Sequence, residues 1–378
     1  MTDSVKKLAL LGSTGSIGQQ TLDVVRALPD RFSIIALAAG ENLHLLYQQI
    51  KEFKPRFVYY QNKRACLVKG DYELMPMDEM ACLPEADIVV AATSGKSGLA
   101  PTLAAVKAGK KVALSNKEAL VMAGAIVTAE ARRHGACILP VDSEHSAIWQ
   151  CLNGETKARR IILTASGGPF FRWKKEQLES VTVEQTLNHP SWKMGKKITV
   201  DSASLFNKGI EVIEAHWLFD MPYDSIEVVI HPQSIVHSMV EYADGSLKAQ
   251  LSYPDMRMPI QYALSFPERL ANSRLPRLNL SQMRSLVFEP PDYETFPSLK
   301  LAIEAGRKGG TYPAVLCAAD EVAVDLFLKR RIKFTDIPRL LEQVLEHHSA
   351  VAQPTMEEIM AADAWATEWV LQLAGAKP

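Results

Sequence analysis

The stretch of sequence that decides the fold is Leu8-Ala9-Leu10-Leu11-Gly12-Ser13-Thr14-Gly15-Ser16-Ile17-Gly18. Its first four residues are a continuous apolar run, which is typical of a strand buried on both faces of a parallel sheet. Three glycines with the spacing G-x-x-G-x-x-G follow, and a helical pattern then runs as far as Pro29. Strand, glycine-rich turn and helix in this order predict a loop whose backbone N–H groups hold a diphosphate, while the spacing alone also fits a plain tight βα turn.

Five further apolar runs continue this pattern, at residues 33–38, 57–60, 87–91, 111–114 and 137–141. Strands that alternate with helices predict an α/β fold with a Rossmann-like, doubly wound parallel sheet and right-handed crossovers. Ligands of such sheets bind at the carboxyl ends of the strands. The sequence therefore predicts one polar rim, formed by the residues that follow the strands: 12–18, 40–42, 93–95, 115–118 and 142–144.

Two carboxylates follow the last of these runs. Asp142 and Glu144 stand two residues apart, with Ser143 between them. Crowded carboxylates repel each other unless a cation or a proton lies between them, and an oxygen-rich cluster suits a hard divalent ion such as Mg²⁺ or Mn²⁺. A solvated turn with an Asp helix cap is the simpler interpretation of this motif alone. Its position on the rim of a nucleotide-binding sheet favours the metal site.

The overall composition excludes several classes of function. The chain has 378 residues, enough for two or three domains, and its 42 Lys and Arg nearly cancel its 43 Asp and Glu. This balance leaves no global basic field for nucleic acid. Five cysteines without a C-x-x-C pair predict free thiols in a reducing compartment. Because no apolar run has the length of a signal peptide or a membrane span, we expect a soluble cytoplasmic protein.

The middle of the chain predicts a lid. Gly167-Gly168-Pro169 and Gly195 are candidate hinges around a polar stretch that includes His189-Pro190-Ser191-Trp192. An ordinary core aromatic is the alternative for Trp192, but its polar neighbours favour an exposed lid.

The same region supplies neutral donors and one cation, which is what a phosphate monoester needs. These residues are Ser166, Ser202, Asn207 and Lys208. A helix is predicted at 205–218, on which Asn207 and Glu211 share a face. Either Glu211 or Glu214 could supply a third carboxylate for the ion, and spacing alone does not decide between them.

The rest of the chain contributes framework. Strands are predicted at 226–230, 234–242 and 246–251. A stretch rich in Pro, Arg and Ser at 266–297 is typical of a linker. Amphipathic helices at 299–308, 312–329, 337–348 and 355–373 predict a small bundle. Thr355 and Glu358 predict a capping box at the start of the last helix.

Eight motifs run in order along essentially the whole chain. They are Leu-Gly-Ser-Thr-Gly-Ser-Ile-Gly (11–18), Asn-Lys-Glu (116–118), Val-Asp-Ser-Glu-His (141–145), Ser-Gly-Gly-Pro-Phe (166–170), His-Pro-x-Trp-x-Met-Gly (189–195), Val-Asp-Ser-Ala (200–203), Asn-Lys-Gly-x-Glu (207–211) and His-Pro-Gln-Ser (231–234). Together they closely resemble the 1-deoxy-D-xylulose 5-phosphate reductoisomerase family. Any one motif could arise by chance, but eight in order are highly specific.

The resemblance implies a domain plan and an activity. An NADPH-binding Rossmann-like domain at 1–141 would precede a central α+β catalytic domain at 142–265 with a flexible lid at about 167–198, a linker at 266–297 and a C-terminal α-helical bundle at 298–378. The implied reaction rearranges 1-deoxy-D-xylulose 5-phosphate to a branched aldehyde, which NADPH reduces to 2-C-methyl-D-erythritol 4-phosphate on the non-mevalonate route to isoprenoid precursors. A divalent ion (Mg²⁺, Mn²⁺ or Co²⁺) would polarise the substrate's carbonyl and hydroxyl oxygens. The implied partners are this small phosphosugar, fosmidomycin-type hydroxamates that mimic it, and a second copy in a homodimer, with no nucleic acid and no membrane.

The resemblance also implies roles for individual residues. For the cofactor these are Thr14, Gly15, Ser16, Ile17, Gly40, Asn42, Asn116, Glu118 and Gly195. For the metal they are Asp142, Glu144 and Glu211, and for the phosphosugar Ser143, Glu144, Ser166, His189, Ser202, Asn207, Lys208 and Glu211. Lys117, Glu144, His189 and Trp192 would carry catalysis, with Lys117 facing the substrate and Trp192 closing over it.

One position departs from the family pattern. The family often has a basic residue between the equivalents of Gly40 and Asn42, where this chain has Glu41. An acidic residue at the end of the second strand mildly favours NAD by itself. We therefore expect NADPH to be preferred, but with reduced discrimination against NADH.

Two alternatives from other classes compete with this interpretation. A metal-independent NADP-linked sugar or semialdehyde dehydrogenase would share the Rossmann half but has no use for three carboxylates. A dinucleotide-sensing regulator would need a partner surface and no lid.

Overall fold

The structure is a computed structural model that describes residues 5–61, 70–155, 157–192, 194–283 and 285–375. Cys66 and the lid residue Lys193 lie outside the described residues. The chain forms two compact units. The first comprises Met1–Ala119, Ala125–Ser146 and Asp255–Arg277, and the second comprises Leu120–Gly124, Ala147–Pro254 and Leu278–Pro378. Among the described residues, no helix is both long and apolar enough to cross a membrane.

The first unit contains a seven-stranded, wholly parallel sheet. Its strands are β1 (Lys6–Leu11), β2 (Phe32–Ala39), β3 (Phe57–Tyr60), β4 (Glu73–Leu74), β5 (Ile88–Ala91), β6 (Lys111–Leu114) and β7 (Cys137–Pro140). Its helices are α1 (Ser16–Ala27), α2 (Leu43–Phe53), α3 (Met77–Ala81), α4 (Leu99–Lys107), α5 (Lys117–His134) and α6 (Ser143–Leu152), with a 3-10 turn at Gly95–Gly98; α5 and α6 also contribute residues to the second unit. The predicted doubly wound sheet is confirmed.

The strand order is β4-β3-β2-β1-β5-β6-β7, so the direction of winding reverses between β1 and β5. Ligands of open α/β sheets bind at this reversal. The glycine-rich loop after β1 stands there, and two of its glycines are required by close packing. A Cβ on Gly12, whose φ is +93°, would lie 2.4 Å from the carbonyl oxygen of Ala92, and a Cβ on Gly18 would lie 2.2 Å from that of Gly12. These contacts let α1 begin directly against the end of β1.

One helix of the first unit, α11 (Arg257–Ser265), was not predicted. It comes from a distant part of the chain and packs on α1 and near β6 and β7. Lys6 Nζ donates to the carbonyl oxygen of Leu264 at 3.1 Å, and the Arg31 guanidinium pairs with Glu268 at 2.8 Å. Part of the segment predicted as a linker is therefore packed against the sheet domain.

The second unit combines a four-stranded mixed sheet with helices. Its strands are β8 (Arg160–Ala165), β9 (Ile226–Ile230), β10 (Val236–Glu241) and β11 (Leu247–Leu251), in the order β11-β10-β8-β9. Its helices are α7 (Lys175–Leu178), α8 (Val183–Thr186), α9 (Lys196–Ala203), α10 (Phe206–Phe219), α12 (Pro297–Lys308), α13 (Tyr312–Leu328), α14 (Asp336–His347) and α15 (Met356–Leu373), with 3-10 turns at Tyr223–Ser225 and Leu280–Gln282.

The four predicted C-terminal helices are confirmed as α12 to α15, and Thr355 and Glu358 form the predicted capping box. Helix α12 packs closely on α10 because Gly209 has no side chain. A Cβ there would lie 2.4 Å from Cβ of Ala302. The Asn-Lys-Gly motif on α10 is thus packed against the C-terminal bundle, because Gly209 leaves room for α12, the first helix of that bundle.

Candidate active site

The acidic motif lies where β7 turns into α6. Asp142 follows the strand, and its carbonyl oxygen accepts a hydrogen bond at 2.8 Å from the backbone N–H of Ser146. Ser143 opens the helix, and its hydroxyl donates to the Glu144 carboxylate. The end of a parallel strand and the start of a helix therefore fix both carboxylates, as the sequence predicts.

Two basic groups attend Asp142. The Lys117 ammonium, at the start of α5, forms an ion pair with its carboxylate, and both side chains are only 12% exposed. His145 Nδ1 lies 3.3 Å from the same carboxylate, and the His145 side chain is fully buried. The resemblance assigns Lys117 to the substrate, whereas here its nearest partner is a predicted metal ligand. The role of His145 beside Asp142 was not predicted, although its i, i+3 spacing on a helix was the available signal.

The helix that follows the predicted diphosphate loop has no side-chain cap at its start. Helix α1 begins at Ser16 with Gly15 as its N-cap, and no side chain caps its first turn. Gly15 and Ser16 are exposed, whereas Thr14 and Ile17 are half-buried. N–H groups at a helix start attract anions, so this loop fits a diphosphate.

The side chains of two predicted cofactor residues cap helices. Asn42 caps α2 by accepting from the N–H of Leu45 at 3.1 Å. Asn116 is buried; its side-chain oxygen caps α5, and its amide donates to the carbonyl oxygens of Thr93 and Gly95 at 3.0 and 2.9 Å. Asn116 therefore ties the loop after β5 to the loop after β6. Of the other predicted cofactor residues, Glu118 and Gly40 are half-buried and Gly195 is exposed.

In the second unit, three predicted substrate residues meet at one imidazole. His189 Nε2 lies 3.1 Å from the Ser166 hydroxyl and 3.1 Å from the Ser202 hydroxyl. The left-handed Gly168, with φ +67°, brings the Ser166 segment so close to α9 that a Cβ would lie 2.8 Å from the carbonyl oxygen of Ser202. Burial lowers the pKa of His189 to about 4, so the ring is neutral at pH 7.

The residues after His189 are held against β10 and the turn before it. The Ser191 hydroxyl lies 3.2 Å from that of Ser234, and the Trp192 ring centroid lies 6.1 Å from that of His237. Trp192 is half-buried rather than fully exposed, because one side of the indole faces His237. The tryptophan is thus neither an ordinary core aromatic nor a free lid residue.

Helix α10 carries a buried polar cluster at its start. Leu205, in the left-handed conformation (φ +60°), separates α9 from α10. On the first turn, the Lys208 ammonium and the Asn207 amide both bond to the Glu211 carboxylate. Lys208 is 4% exposed and Glu211 is 1% exposed. Glu214, the competing candidate, is equally buried, so burial does not choose between the two carboxylates.

The chemistry of these groups fits a hard divalent cation. Asp142, Ser143 and Glu144 offer carboxylate and hydroxyl oxygens, the donors that Mg²⁺ prefers. The Glu211 carboxylate is an equally hard donor, held in place by Lys208 and Asn207.

Three family models match the chain. The model described as 1-deoxy-D-xylulose 5-phosphate reductoisomerase matches residues 8–124. Those described as 1-deoxy-D-xylulose 5-phosphate reductoisomerase C-terminal domain and DXP reductoisomerase C-terminal domain match residues 138–219 and 251–369.

Relatives match over nearly the whole length. A 1-deoxy-D-xylulose 5-phosphate reductoisomerase from Pelotomaculum thermopropionicum is 54% identical over 375 residues, covering 96% of this chain and 97% of that protein. One from Bacillus cereus is 49% identical over 378 residues, covering 97% and 100%.

Solved structures match as well. The crystal structure of DOX-P reductoisomerase in complex with NADPH, fosmidomycin and magnesium is 38% identical, with a TM-score of 0.92 and 99% and 100% coverage of this chain and that one. The enzyme from Zymomonas mobilis in complex with NADPH is 40% identical, with a TM-score of 0.90 and 99% and 100% coverage.

Proposed function

The chain belongs to the 1-deoxy-D-xylulose 5-phosphate reductoisomerase family, and from this premise we propose that it converts 1-deoxy-D-xylulose 5-phosphate to 2-C-methyl-D-erythritol 4-phosphate. It is an oxidoreductase that uses NADPH and a divalent metal ion, in the non-mevalonate synthesis of isoprenoid precursors. The single observation that carries the proposal is identity of 54% over 96% of the chain. A metal-independent dehydrogenase is not favoured, since related structures hold magnesium.

We propose that the loop after β1 holds the NADPH diphosphate through Thr14, Gly15, Ser16 and Ile17. The uncapped start of α1 supports this assignment. Bound NADPH supplies the hydride. Gly40, Asn42, Asn116, Glu118 and Gly195 complete the proposed cofactor set. Because the Asn42 and Asn116 side chains cap helices, they act on the cofactor by shaping the loops around it.

The proposed metal ligands are Asp142, Glu144 and Glu211. Support comes from the family resemblance and from the hard oxygen donors of the three carboxylates. The bound ion supplies Lewis-acid polarisation of the substrate's oxygens. Lys117 balances the charge of Asp142, and Lys208 that of Glu211, so neither carboxylate is an uncompensated charge before the ion binds.

The proposed phosphosugar site consists of Ser143, Ser166, His189, Ser202, Asn207 and Lys208, together with Glu144 and Glu211. The serines and Asn207 supply neutral donors, His189 contacts the Ser166 and Ser202 hydroxyls, and Lys208 supplies the one charge that attracts the phosphate. Trp192 covers the site and excludes water from the reactive intermediate. Lys117 is the proposed cation beside the reacting oxygens.

The assay that tests the function is loss of NADPH absorbance with 1-deoxy-D-xylulose 5-phosphate, with and without Mg²⁺. We expect turnover only with the metal. Full turnover of chelator-treated protein would favour the dehydrogenase. Tight NADPH binding without any turnover would favour a dinucleotide sensor.

The variant Asp142→Asn sharpens this test. We expect it to abolish metal-dependent turnover while NADPH binding, followed by fluorescence titration, stays nearly intact. Loss of both properties together would indicate misfolding and would remove the support for Asp142 as a ligand.

The finer parts of the proposal follow the resemblance. We propose that Mn²⁺ and Co²⁺ replace Mg²⁺, that fosmidomycin-type hydroxamates inhibit the enzyme, and that it works as a homodimer in the cytoplasm. The strand β11 lies at the edge of its sheet and has an exposed Leu247, so we propose that a second copy pairs along it. Light scattering of the purified protein measures the oligomeric state directly.

A further inference from the structure

Both nitrogens of the His189 ring are bonded, and the partners on one side can only donate. Nδ1 lies 3.2 Å from the backbone nitrogen of Ser191 and 3.0 Å from that of Trp192. Since a backbone N–H has no lone pair to offer, Nδ1 must be the acceptor in both bonds. A proton on Nδ1 would break both bonds and set three N–H groups against one another. The ring proton of neutral His189 therefore sits on Nε2.

This tautomer fixes the direction of the bonds on the other side. Nε2–H donates toward the hydroxyl oxygens of Ser166 and Ser202, each 3.1 Å away. The Ser166 oxygen also accepts from the backbone N–H of Gly168 at 3.2 Å. A serine oxygen has two lone pairs, so Ser166 has both occupied, and its own O–H is left to donate elsewhere.

We propose that His189 is a positioning residue with two separate tasks, one for each ring nitrogen. Nδ1 organises the turn 189–192 that carries Trp192. Nε2–H, shared between the Ser166 and Ser202 oxygens, leaves the Ser166 O–H to donate to a ligand and favours donation by the Ser202 O–H. The ligand they select is an acceptor-only oxyanion such as a fully ionised phosphate. This inference rests on the proposed function, because it assigns the phosphate end of that substrate to these serines. The low pKa of His189 agrees with a neutral ring.

The proposal gives His189 a role distinct from that of a phosphate-binding cation or an acid–base group. A cationic imidazole would attract phosphate by charge but would have to release the Ser191 and Trp192 backbones. In the neutral tautomer the ring keeps the turn folded while the serines face the ligand. The site then depends on Lys208 alone for positive charge among the proposed phosphate residues.

The first experiment reads the tautomer directly, in the free full-length protein. Ring ¹⁵N NMR of the histidine-labelled protein at pH 7 should show a protonated Nε2 and a bare Nδ1 for His189, whose signal is identified by its loss in His189→Gln. His231 is the internal control with the opposite pattern. Its Nδ1 faces the carbonyl oxygen of Val287 at 2.8 Å, and its Nε2 accepts from the N–H of Ile235 at 3.2 Å. It should therefore carry its proton on Nδ1.

Inorganic phosphate is the probe for the charge state. Adding it should leave His189 neutral with the proton on Nε2. A protonated Nδ1 in the free protein, or an imidazolium on addition of phosphate, would overturn the proposal. Because neither reading uses turnover, an inactive protein with the expected spectrum would count against the proposed function and not against the tautomer.

Two variants separate the two tasks. In His189→Asn the amide oxygen takes the place of Nδ1 and keeps the turn as an Asx-type bond, but nothing reaches the serines. In His189→Gln the amide N–H₂ takes the place of Nε2 and the turn loses its acceptor. We expect His189→Asn to raise KM for the phosphosugar on the order of 10-fold or more with Kd for NADPH unchanged. We expect His189→Gln to keep KM closer to wild type and to lose kcat, because the Trp192 turn is released. Identical losses of KM and kcat in both variants would contradict the division of tasks.

Discussion

Lys197 is the most informative position for a test of stability in the second unit. Its ammonium, on α9, lies 2.7 Å from the Asp201 carboxylate and 2.6 Å from the Asp320 carboxylate on α13. The two aspartates are 1% and 0% exposed. Burial, together with the neighbouring Asp320 carboxylate, raises the pKa of Asp201 well above its usual range. The Lys197 ammonium is the cation that pairs with both buried carboxylates and offsets their mutual repulsion.

The substitution Lys197→Met removes that cation and keeps the length of the side chain. The folded variant must then either bury a carboxylate without its cation or bind one proton more than the wild type does. A pH of 7 is about three units above the usual aspartate pKa of 3.8, and each unit corresponds to about 1.4 kcal/mol. Protonating the aspartate at pH 7 therefore costs at most roughly 4 kcal/mol. Breaking a buried pair costs about 3–5 kcal/mol in general. We therefore expect a loss of about 3–4 kcal/mol at pH 7.

The sign of the pH dependence follows from the proton count. The folded variant binds about one proton more than the wild type, while the unfolded aspartates stay ionised above about pH 5. The difference in free energy of unfolding between the wild type and the variant should therefore shrink by about 1.4 kcal/mol for each unit by which the pH is lowered from 7 to 5. Stability that is gained on acidification is the reverse of the usual carboxylate behaviour, because here the folded-state pKa is raised.

The assay is urea unfolding of both proteins at several pH values from about 7 to 5. Lys329→Met is the matched control, because Lys329 pairs with Asp325 on the same helix α13 but both side chains are more than half exposed. It should change the free energy of unfolding by less than about 1 kcal/mol at every pH. A loss below about 1 kcal/mol for Lys197→Met, or a deficit independent of pH, would refute the reasoning.

Three further predictions concern separate parts of the chain. Gly18→Ala should weaken NADPH binding and destabilise the first unit by about 1–3 kcal/mol, because the new Cβ meets the Gly12 carbonyl oxygen at 2.2 Å. Unfolding curves measure the loss of stability, and fluorescence titration measures NADPH binding. Wild-type values in both measurements would contradict the packing argument. Glu41→Lys should raise the ratio of kcat/KM for NADPH to kcat/KM for NADH on the order of 10-fold, because an exposed carboxylate is replaced by a cation. An unchanged ratio would show that Glu41 has no part in the preference between the two cofactors. Thr355→Ala should cost about 1 kcal/mol in thermal unfolding, because it removes the capping bond to the Glu358 N–H, and an unaltered Tm would show that the cap adds nothing to the bundle.

Much of the fold was predictable because its signals are local. The apolar run 8–11 and the three glycines after it predict β1, the turn and α1, and all three are present. The strand Phe57–Tyr60 and the four C-terminal helices also lie where the periodicity places them. Strand β4 was missed because two exposed residues carry no periodic pattern. Helix α11 was missed because its partners are more than a hundred residues away in sequence.

The candidate site was predictable as a list of residue types and less so as an arrangement. Carboxylates after β7 and donors around 166–208 follow from motif and chemistry. The capping roles of Asn42 and Asn116, and the ion pair between Lys117 and Asp142, do not, because each depends on a partner that sequence spacing does not identify.

The sequence by itself determined most of the strands and helices, with β4 and α11 as exceptions, and where the sheet presents its polar rim. Hydrophobic periodicity and turn chemistry act between neighbours, so they can be read along the chain. Only the tertiary structure decided which polar groups share a proton. Ser166, His189 and Ser202 come from three separate segments of the chain. Lys197 and Asp320 come from two different helices. The direction of each of these hydrogen bonds depends on which donors and acceptors packing brings within about 3 Å.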